Sequence, residues 1–438
     1  MPRSRKLTRR QALRKCSRAL AAGLAAPLIA PRGILGSAEE APPSDRIGVG
    51  YIGCGRRSQN LRGLPKDGKI VAAADCCLPR AEETVKSVNG RAFQDYRRLL
   101  DLKEVDAVVI ASPDHWHALH TVHACQAGKD VYVEKPLSLT IREGRLMVQA
   151  ARKYGRIVQC GSQQRSMAAN RRGCEIVRNG VLGKVHTVVG FNYPSPWECR
   201  FPGQPVPEGL DWDLWCGPTE PVPFHPDIFA PRTNPGWISF RPWSGGEMLG
   251  WGAHGLDQVQ WALGMDASGP VEVWTEGERF QAPVYAAPAP REAGEAVTRK
   301  PKVRFLYPGG IVLKLDDGPM GGAVFIGEKG RISIDRGKFV LTPEELGREP
   351  LPEGAIRLYE SDDHMRNWFA CMRSRKLPAA DVEIGHRSAT VGHLGNIARW
   401  VGRRLRWDPE KEVFVDDPEA NAHLDRPRRK GFEIPDAV

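Results

Sequence analysis

The sequence predicts an α/β fold that begins with a doubly wound parallel sheet and continues into an α+β domain with a large, mainly antiparallel open sheet. Two patterns indicate this. Up to residue 162, short apolar runs alternate with helical stretches, as in parallel sheets. Beyond Gln163 the runs lengthen, and hairpin-type turns join them. With 438 residues and 41% hydrophobic composition, the chain can form two domains with substantial cores.

The predicted elements follow these two patterns. The strands of the first sheet are residues 47–52, 70–75, 107–111, 131–134 and 157–161. The helices between them include residues 116–127 and 142–153. The strands of the second sheet are residues 185–193, 271–275, 303–306, 311–315 and 323–334, with turns at 308–310 and 328–330. Helices at 363–373 and 383–404 end the pattern, and we expect these terminal helices to pack back on the first domain.

A glycine turn follows the first predicted strand. Residues 47–58 read IGVGYIGCGRRS, an apolar strand that runs into the predicted start of a helix. Gly53 and Gly55 permit a tight turn and a close approach of the backbone to a pyrophosphate, and Ser58 takes the third small position. Arg56 and Arg57 belong to the same predicted cofactor site. The turn predicts a Rossmann domain that binds a dinucleotide.

Asp75 ends the second predicted strand, where the acid that binds the cofactor ribose is expected. A carboxylate there accepts from the ribose hydroxyls and repels a 2′-phosphate, so it favours NAD over NADP. The alternative is a glycine turn in an unrelated parallel sheet, and that interpretation leaves Asp75 unexplained.

The segment Glu134-Lys135-Pro136 lies at the end of a predicted strand, downstream of the glycine turn. A cationic amine at the mouth of a cofactor cleft can hold a substrate hydroxyl and stabilise the developing alkoxide. This is dehydrogenase chemistry. The alternative role for Lys135 is that of a solvated lysine at a strand end.

The N-terminal 38 residues carry most of the net charge of +11. They hold nine Lys or Arg and no acid, so the rest of the chain has 54 basic against 52 acidic residues. This near balance argues against nucleic acid as a partner. Arg9 and Arg10 precede an apolar run at 19–30 that is too short to span a membrane.

Residues 1–38 are therefore predicted to be a twin-arginine signal peptide, with cleavage near Ala38 and a linker at 39–45. The predicted location is periplasmic or otherwise exported, with the twin-arginine export machinery as a partner and no stable membrane insertion. The alternative is a disordered basic N-terminus. Since folded proteins use this route, the ten cysteines, which form no C-x-x-C pair, are expected to be free thiols.

Four histidines, His115, His117, His120 and His123, are dense enough to suggest a metal site. No carboxylate or thiol completes an obvious ligand set among their neighbours in sequence. We therefore expect packing beside the cofactor and no bound metal.

Several segments together resemble the glucose-fructose oxidoreductase and myo-inositol dehydrogenase (Gfo/Idh/MocA) family. They are the glycine turn, SPDHWH at 112–117, EKP at 134–136 and GGEMLGWGAH at 245–254. The similarity spans nearly the whole chain after the linker and is closest to the exported, twin-arginine branch. It implies a Rossmann domain at 46–162, a C-terminal α+β domain at 163–438 that forms homo-oligomers through its sheet, and catalysis on sugars or polyols in the cleft between them.

The resemblance also implies the catalytic residues. Lys135 contacts the reacting hydroxyl, and His254 belongs to a D-x-x-x-H pair that supplies the acid or base. The aspartate of that pair is absent, because position 250 is glycine. Asp257, one turn after His254, and Glu247 are the candidates to orient the imidazole. This departure weakens the prediction of simple alcohol oxidation.

The predicted site residues divide into cofactor and substrate contacts. The cofactor contacts are Gly53, Gly55, Arg56, Arg57, Asp75, Ser112, Pro113, His115, His117, Glu134, Lys135 and Gln163. The substrate contacts are Lys135, Arg165, Tyr193, Arg241, Trp243, His254 and Asp257. Seven of the twelve tryptophans fall between residues 197 and 261. Aromatic faces suit sugar rings, but core packing is the alternative role for each of them.

The sequence thus predicts an exported NAD-dependent oxidoreductase that acts on a sugar or polyol hydroxyl with a tightly bound cofactor. Two alternatives remain. One is an NAD-dependent glycoside hydrolase or lyase, in which oxidation, elimination and re-reduction give no net redox change. The other is a non-catalytic dinucleotide-binding sensor, against which the presence of both Lys135 and His254 argues.

Overall fold

A computed structural model of the protein describes residues 45–230, 236–285, 300–348 and 350–435. The predicted signal peptide at 1–38 lies outside the described residues. Within them, no helix combines the length and the apolar character needed to cross a bilayer. The nine cysteines that the structure describes are all free.

The first domain is a six-stranded parallel sheet with the strand order β3-β2-β1-β4-β5-β6. Its strands are β1 (Ile47–Ile52), β2 (Gly68–Ala74), β3 (Arg91–Phe93), β4 (Ala107–Ile110), β5 (Asp130–Val133) and β6 (Val158–Cys160). Its helices are α1 (Arg56–Gln59), α2 (Leu78–Val85), α3 (Tyr96–Leu100), α4 (Asp114–Gln126) and α5 (Ile141–Lys153). Every residue of β4 and β5 is buried, which is why these strands read as continuous apolar runs.

The second domain is built on a nine-stranded sheet with the order β15-β14-β13-β7-β12-β11-β9-β16-β17. Its strands are β7 (Val185–Phe191), β9 (Glu272–Glu276), β11 (Lys302–Tyr307), β12 (Ile311–Asp316), β13 (Ala323–Gly327), β14 (Arg331–Asp335), β15 (Lys338–Thr342), β16 (Leu405–Asp408) and β17 (Val413–Phe414). All neighbouring pairs are antiparallel except β7 with β12. A separate two-stranded sheet pairs β8 (Glu198–Cys199) with β10 (Val284–Tyr285).

The remaining helices pack around the second sheet and the cleft. They are α6 (Ala168–Arg178), α7 (Trp212–Cys216), α8 (Pro226–Phe229), α9 (Glu247–Gly250), α10 (Gly252–Leu263), α11 (His364–Ser374), α12 (Val382–Val401) and α13 (Pro418–Asn421). One face of the sheet packs on α10 and α12, where Leu256, Leu394 and Phe305 share a core. Helix α12 also packs on the first domain, since Arg145 of α5 binds Glu383 at 2.6 Å.

The predicted fold class is confirmed, and the differences lie in short or terminal elements. The predicted run 323–334 is two strands, β13 and β14, that form a hairpin. The predicted helix 383–404 ends at Val401 because Gly402 adopts a left-handed conformation with φ +77°. The chain then joins the sheet as β16, and the sequence predicted neither this strand nor β3, β15 and β17.

Candidate active site

One cleft of about 830 Å³ lies at the carboxyl ends of the parallel strands. Residues that follow β1, β2, β4 and β5 form one wall, and residues of the second domain form the other. The first wall includes Gly53, Gly55, Arg56, Arg57, Asp75, Arg80, Ser112, Pro113, His117, Glu134 and Lys135. The second includes Gln163, Trp215, Trp237, Ile238, Gly250, Trp251, His254 and Arg336.

The glycine turn leaves room for a ligand at the first wall. Gly53 has φ +84°, and a Cβ there would lie 2.5 Å from the backbone nitrogen of Ser112, so no side chain fits. A Cβ at Gly55 would meet no protein atom within 4 Å, although Gly55 lines the cleft. The backbone therefore borders open space where the pyrophosphate of a dinucleotide fits without displacing a side chain.

Asp75 lies in the same wall and is braced by the backbone. Its Oδ2 accepts from the N–H of Cys54 at 2.6 Å, and its Oδ1 accepts from the N–H of Cys77 at 2.8 Å. Burial raises the pKa of this carboxyl, while the two backbone N–H groups oppose the rise. The carboxylate is thus fixed to the glycine turn, at the end of β2 where a ribose would bind.

The two arginines of the turn differ in their partners. The guanidinium of Arg57 lies 2.8 Å from Glu134, the residue before Lys135. This ion pair connects the turn after β1 to the segment after β5. Arg56 lines the cleft beside it, so the first wall is positively charged where a pyrophosphate would lie.

His117 connects two loops that border the cleft. Its Nδ1 lies 2.7 Å from the carbonyl oxygen of Pro136, and its Nε2 lies 2.9 Å from that of Ser112. The side chain therefore fixes the segment that carries Lys135 relative to the segment after β4. His117 acts on the site mainly through these two carbonyl groups.

The prediction that His115 contacts the cofactor is wrong. His115 is buried and is not part of the cleft lining, with Nε2 3.0 Å from the carbonyl oxygen of Trp215. Burial lowers its pKa to about 3, so the ring is neutral. Trp116 and His120 of the same helix do line the cleft.

Lys135 and His254 line the same cleft from opposite domains. The ammonium of Lys135 donates to the carbonyl oxygen of Gly250 at 2.8 Å. Gly250 occupies the position where the related motif has aspartate, so a backbone carbonyl provides the acceptor there. His254 lies on α10, and its ring centroid is 5.6 Å from that of Trp251.

Neither acid proposed to orient His254 lines the cleft. Asp257 accepts from Arg165 Nε at 2.9 Å and from Ser388 Oγ at 2.7 Å, and the Arg165 side chain is 1% exposed. Glu247 accepts from the backbone N–H of Trp251 at 3.1 Å. The predictions of Arg165 and Asp257 as substrate contacts are therefore wrong, since they form a buried ion pair outside the cleft lining.

Three other predicted substrate contacts also lie outside the cleft lining. Trp243 is fully buried, and its indole N–H donates to Thr219 Oγ1 at 3.2 Å. The hydroxyl of Tyr193 donates to the carbonyl oxygen of Met320 at 2.9 Å. Arg241 stacks over the Trp400 ring at 4.4 Å and lies 3.6 Å from Glu198. Packing and local hydrogen bonds account for these side chains.

The structure adds cleft residues that the sequence did not single out. Trp215, Trp237 and Trp251 provide aromatic surface, and Arg80 and Arg336 provide positive charge. Trp251 lies within the GGEMLGWGAH segment, so its proximity to His254 was the available signal. Arg336 lies in a hairpin turn, and no motif marks it. Within the described ranges, no group of three His, Cys, Asp or Glu side chains could hold a metal ion.

Comparisons with known proteins identify both domains. Residues 47–162 match the oxidoreductase family, NAD-binding Rossmann fold, and residues 170–434 match the oxidoreductase family, C-terminal alpha/beta domain. Both matches are to the Gfo/Idh/MocA family. They cover most of the chain that the structure describes.

Among curated proteins, D-glucoside 3-dehydrogenase of Escherichia coli is 29% identical over 153 residues, 34% of this chain and 44% of that protein. Inositol 2-dehydrogenase of Salmonella paratyphi B is 30% identical over 153 residues, which are again 34% of this chain and 44% of that protein. The rhizopine catabolism protein MocA of Rhizobium meliloti is 24% identical over 50% of this chain and 58% of that protein. The chain thus spans less than two thirds of these relatives.

Among solved structures, the WlbA dehydrogenase of Bordetella pertussis in complex with NADH and UDP-GlcNAcA has a TM-score of 0.58 at 19% identity, covering 83% of this chain and 99% of that one. The aldose-aldose oxidoreductase of Caulobacter crescentus, complexed with glycerol, has a TM-score of 0.54 at 19% identity, covering 82% and 99%. These similarities establish a shared fold. The chain therefore belongs to the Gfo/Idh/MocA oxidoreductase family, with its NAD-binding Rossmann domain and its C-terminal α/β domain.

Proposed function

We propose that the protein is an NAD-dependent oxidoreductase that acts on a CH–OH group of a sugar or polyol. The observation that carries this proposal is that one cleft contains the glycine turn, Asp75, Lys135 and His254. The names of the relatives, a glucoside dehydrogenase and an inositol dehydrogenase, support the substrate class. The aromatic faces of Trp237 and Trp251 suit a sugar ring.

The chain's own residues hold the hydroxyl and its proton. A bound nicotinamide supplies hydride transfer. Lys135, fixed by the Gly250 carbonyl, donates to the substrate oxygen and stabilises the negative charge that develops there. His254 accepts the hydroxyl proton from the opposite wall. The Trp251 ring lies beside the imidazole, with ring centroids 5.6 Å apart.

We propose NAD rather than NADP as the cofactor. Asp75 is buried at the end of β2 and would meet the ribose with an acceptor, which disfavours a 2′-phosphate. Arg80 lies in the same part of the lining, and its positive charge would favour a 2′-phosphate. The fixed, backbone-braced carboxylate is the reason to expect NAD.

We also propose that the protein is exported through the twin-arginine route and keeps its cofactor bound. The support is the sequence of residues 1–38 together with the expectation that little free dinucleotide exists outside the cytoplasmic membrane. A homo-oligomer through the open face of the second sheet belongs to the same proposal. Val340 on the outermost strand, β15, is 61% exposed, which favours burial of that face between subunits.

The decisive experiment is purification without added nucleotide. We expect denaturation to release NAD(H) rather than NADP(H), and we expect the intact protein to turn over its sugar without supplement. The bound nucleotide is identified by chromatography, and its reduction by a panel of sugars and polyols is followed by absorbance. An empty cleft, with activity that depends on added NAD, would show an ordinary dissociable dehydrogenase instead.

Gly250 favours a second candidate function, redox-neutral cleavage of a glycoside. The aspartate of the related D-x-x-x-H motif is replaced by glycine at position 250, and the imidazole of His254 would abstract a C–H proton next to a transient ketone. Oxidation, elimination and re-reduction would then release an aglycone with no net NADH. Release of nitrophenol from a nitrophenyl glycoside, without accumulation of reduced cofactor, would distinguish this candidate from net oxidation.

A further inference from the structure

The hairpin turn between β14 and β15 brings a basic side chain to the cleft. Arg336 is the residue after β14, and it lines the cleft together with Lys135 and His254. It is a basic residue of the lining contributed by the sheet of the second domain. Such a position is outside the dinucleotide motif, so it calls for an explanation of its own.

Buried side chains fix the backbone of this turn. Asn170, which is fully buried on α6, accepts from the N–H of Gly337 at 2.8 Å and donates to the carbonyl of Asp335 at 3.1 Å. Asp335 Oδ1 accepts from the N–H groups of Arg336 at 2.8 Å and Gly321 at 3.1 Å. The base of the Arg336 side chain is therefore held in place before any ligand binds.

Hydrogen bonds link this turn to the segment after β6. Gln164, in the short helix after β6, donates to the carbonyl of Gly321 at 2.7 Å, which anchors the turn near that strand. Strand β6 is four positions from β2 in the sheet, and Asp75 is the residue after β2. At the usual strand spacing this is roughly 19 Å. Arg336 is therefore remote from the ribose and from the position of a 2′-phosphate.

The charges of the cleft leave Arg336 without a counter-ion. Asp75 binds backbone N–H groups, Asp114 accepts from Ser244 Oγ at 2.7 Å, and Glu134 pairs with Arg57. These three are the acids of the lining. Among the residues that the structure describes, the guanidinium of Arg336 has no hydrogen bond or ion pair. A guanidinium presents a planar fork that matches the oxygens of a carboxylate or phosphate.

We propose that Arg336 binds an oxyanion carried by the sugar, so that the substrate class is an acidic sugar. The inference rests on the proposed function, because it assigns the group that the second wall recognises. A carboxylate, as in a uronic acid, and a phosphate ester present the same chemistry to the fork. The reacting hydroxyl faces Lys135 and His254, and the acidic group faces Arg336.

Binding is tested with matched pairs of sugars on the purified protein with its bound cofactor. Methyl glucuronide and methyl glucoside differ only by the carboxylate. The corresponding pairs with galacto and manno configuration are tested in the same way, and glucose 6-phosphate is added to test a phosphate ester. Tryptophan fluorescence reports binding, since four tryptophans line the cleft. We expect the wild type to bind the acidic member of at least one pair roughly 10- to 100-fold more tightly than the neutral member.

Arg336→Gln should abolish that preference and leave the affinity for the neutral sugar unchanged. Arg331→Gln is the matched control, because Arg331 is an exposed arginine at the start of the same hairpin and does not line the cleft. Arg336→Lys should keep part of the preference through charge alone. It also replaces the Gln variant if that variant does not fold.

Equal affinity of the wild type for acidic and neutral sugars, or no binding of any acidic sugar, would overturn the inference. So would a preference that persists in Arg336→Gln. A preference for the phosphate that Arg336→Gln removes identifies phosphate as the source of the oxyanion. Failure of the proposed function looks different, because the protein would then contain no NAD and oxidise neither acidic nor neutral sugars.

Discussion

The two walls of the cleft differ in how their residues are distributed along the chain. The first wall uses short segments at strand ends, namely residues 53–57, Asp75, 112–113 and 134–135. The second wall gathers Trp215, 237–238, 250–254 and Arg336, which are separated by long stretches of chain. A dinucleotide is bound largely by backbone groups of short, local segments. A substrate contacts side chains that the fold brings together from distant parts of the chain. The first wall can therefore be predicted from sequence, and the second requires the structure.

Arginine shows the same contrast within one residue type. Arg57 follows the glycine turn and lines the cleft, as the motif predicts. Arg165 follows β6 but is buried with Asp257 and Asp266. Both carboxylates come from residues about a hundred positions further along the chain, so sequence alone gives no sign of the pair. Proximity to a motif therefore identifies a ligand contact only where the backbone itself approaches the ligand.

The largest expected effect is the loss of that buried pair. Arg165→Met should lower the free energy of unfolding by about 3–5 kcal/mol, because Asp257 would remain buried without its partner. Chemical denaturation measures this loss. Arg241→Met, at a partly exposed arginine outside the cleft, is the control and should have little effect. A stable Arg165→Met protein with a raised KM would restore Arg165 as a substrate contact.

Lys135→Met tests the point where the two walls meet. We expect turnover to fall about 100- to 1000-fold, or about 2.7–4 kcal/mol, because a donor to the developing alkoxide is lost. Bound NAD should be retained, since the ammonium contacts Gly250 and the substrate side. Lys129→Met, at the other end of β5, is the matched control. Near-normal turnover in Lys135→Met on an identified sugar would contradict the assignment.

Asp75→Ala tests the first wall alone. The affinity for NAD should fall roughly 10- to 100-fold, because a charged acceptor for the ribose is lost, and discrimination against NADP should relax. Calorimetry with both nucleotides measures the change. Asp67→Ala, at the residue before β2, should leave both affinities unchanged. A wild-type protein that carries NADP would refute the interpretation of Asp75.

Much of the fold was predictable because its strands are contiguous apolar runs. Strands β1, β2, β4, β5 and β6 lie where the sequence places them, within one or two residues. Strand β3 has three partly exposed residues, and β15 alternates Lys338, Val340 and Thr342 on its exposed side, so neither shows an apolar run. Edge strands bury too little to be recognised from composition.

The residues of the candidate site could be predicted where neighbouring residues in the sequence determine their role. Gly53 is required by the backbone conformation, Gly55 leaves room for a ligand, and Lys135 lies two residues after a buried strand. Sequence alone cannot tell which tryptophans line the second wall, because Trp243 and Trp251 are eight residues apart and have opposite environments. Trp243 is fully buried, and Trp251 is 39% exposed. The indole looks the same in the sequence whether it packs in a core or faces a sugar.

The smallest expected effect separates these two tryptophans. Trp251→Ala should raise the KM for the sugar about 3- to 10-fold, because an aromatic face contributes roughly 0.5–1.5 kcal/mol beyond the area that it buries. Its stability should change little, since the side chain is partly exposed in the free protein. Trp243→Ala should instead lower the free energy of unfolding by about 3–5 kcal/mol, because it leaves a cavity. Steady-state kinetics and denaturation on both variants measure the two quantities. If Trp251→Ala lost stability and kept its KM, the second wall would not contact the sugar through this residue, and Trp237 would become the aromatic contact to test.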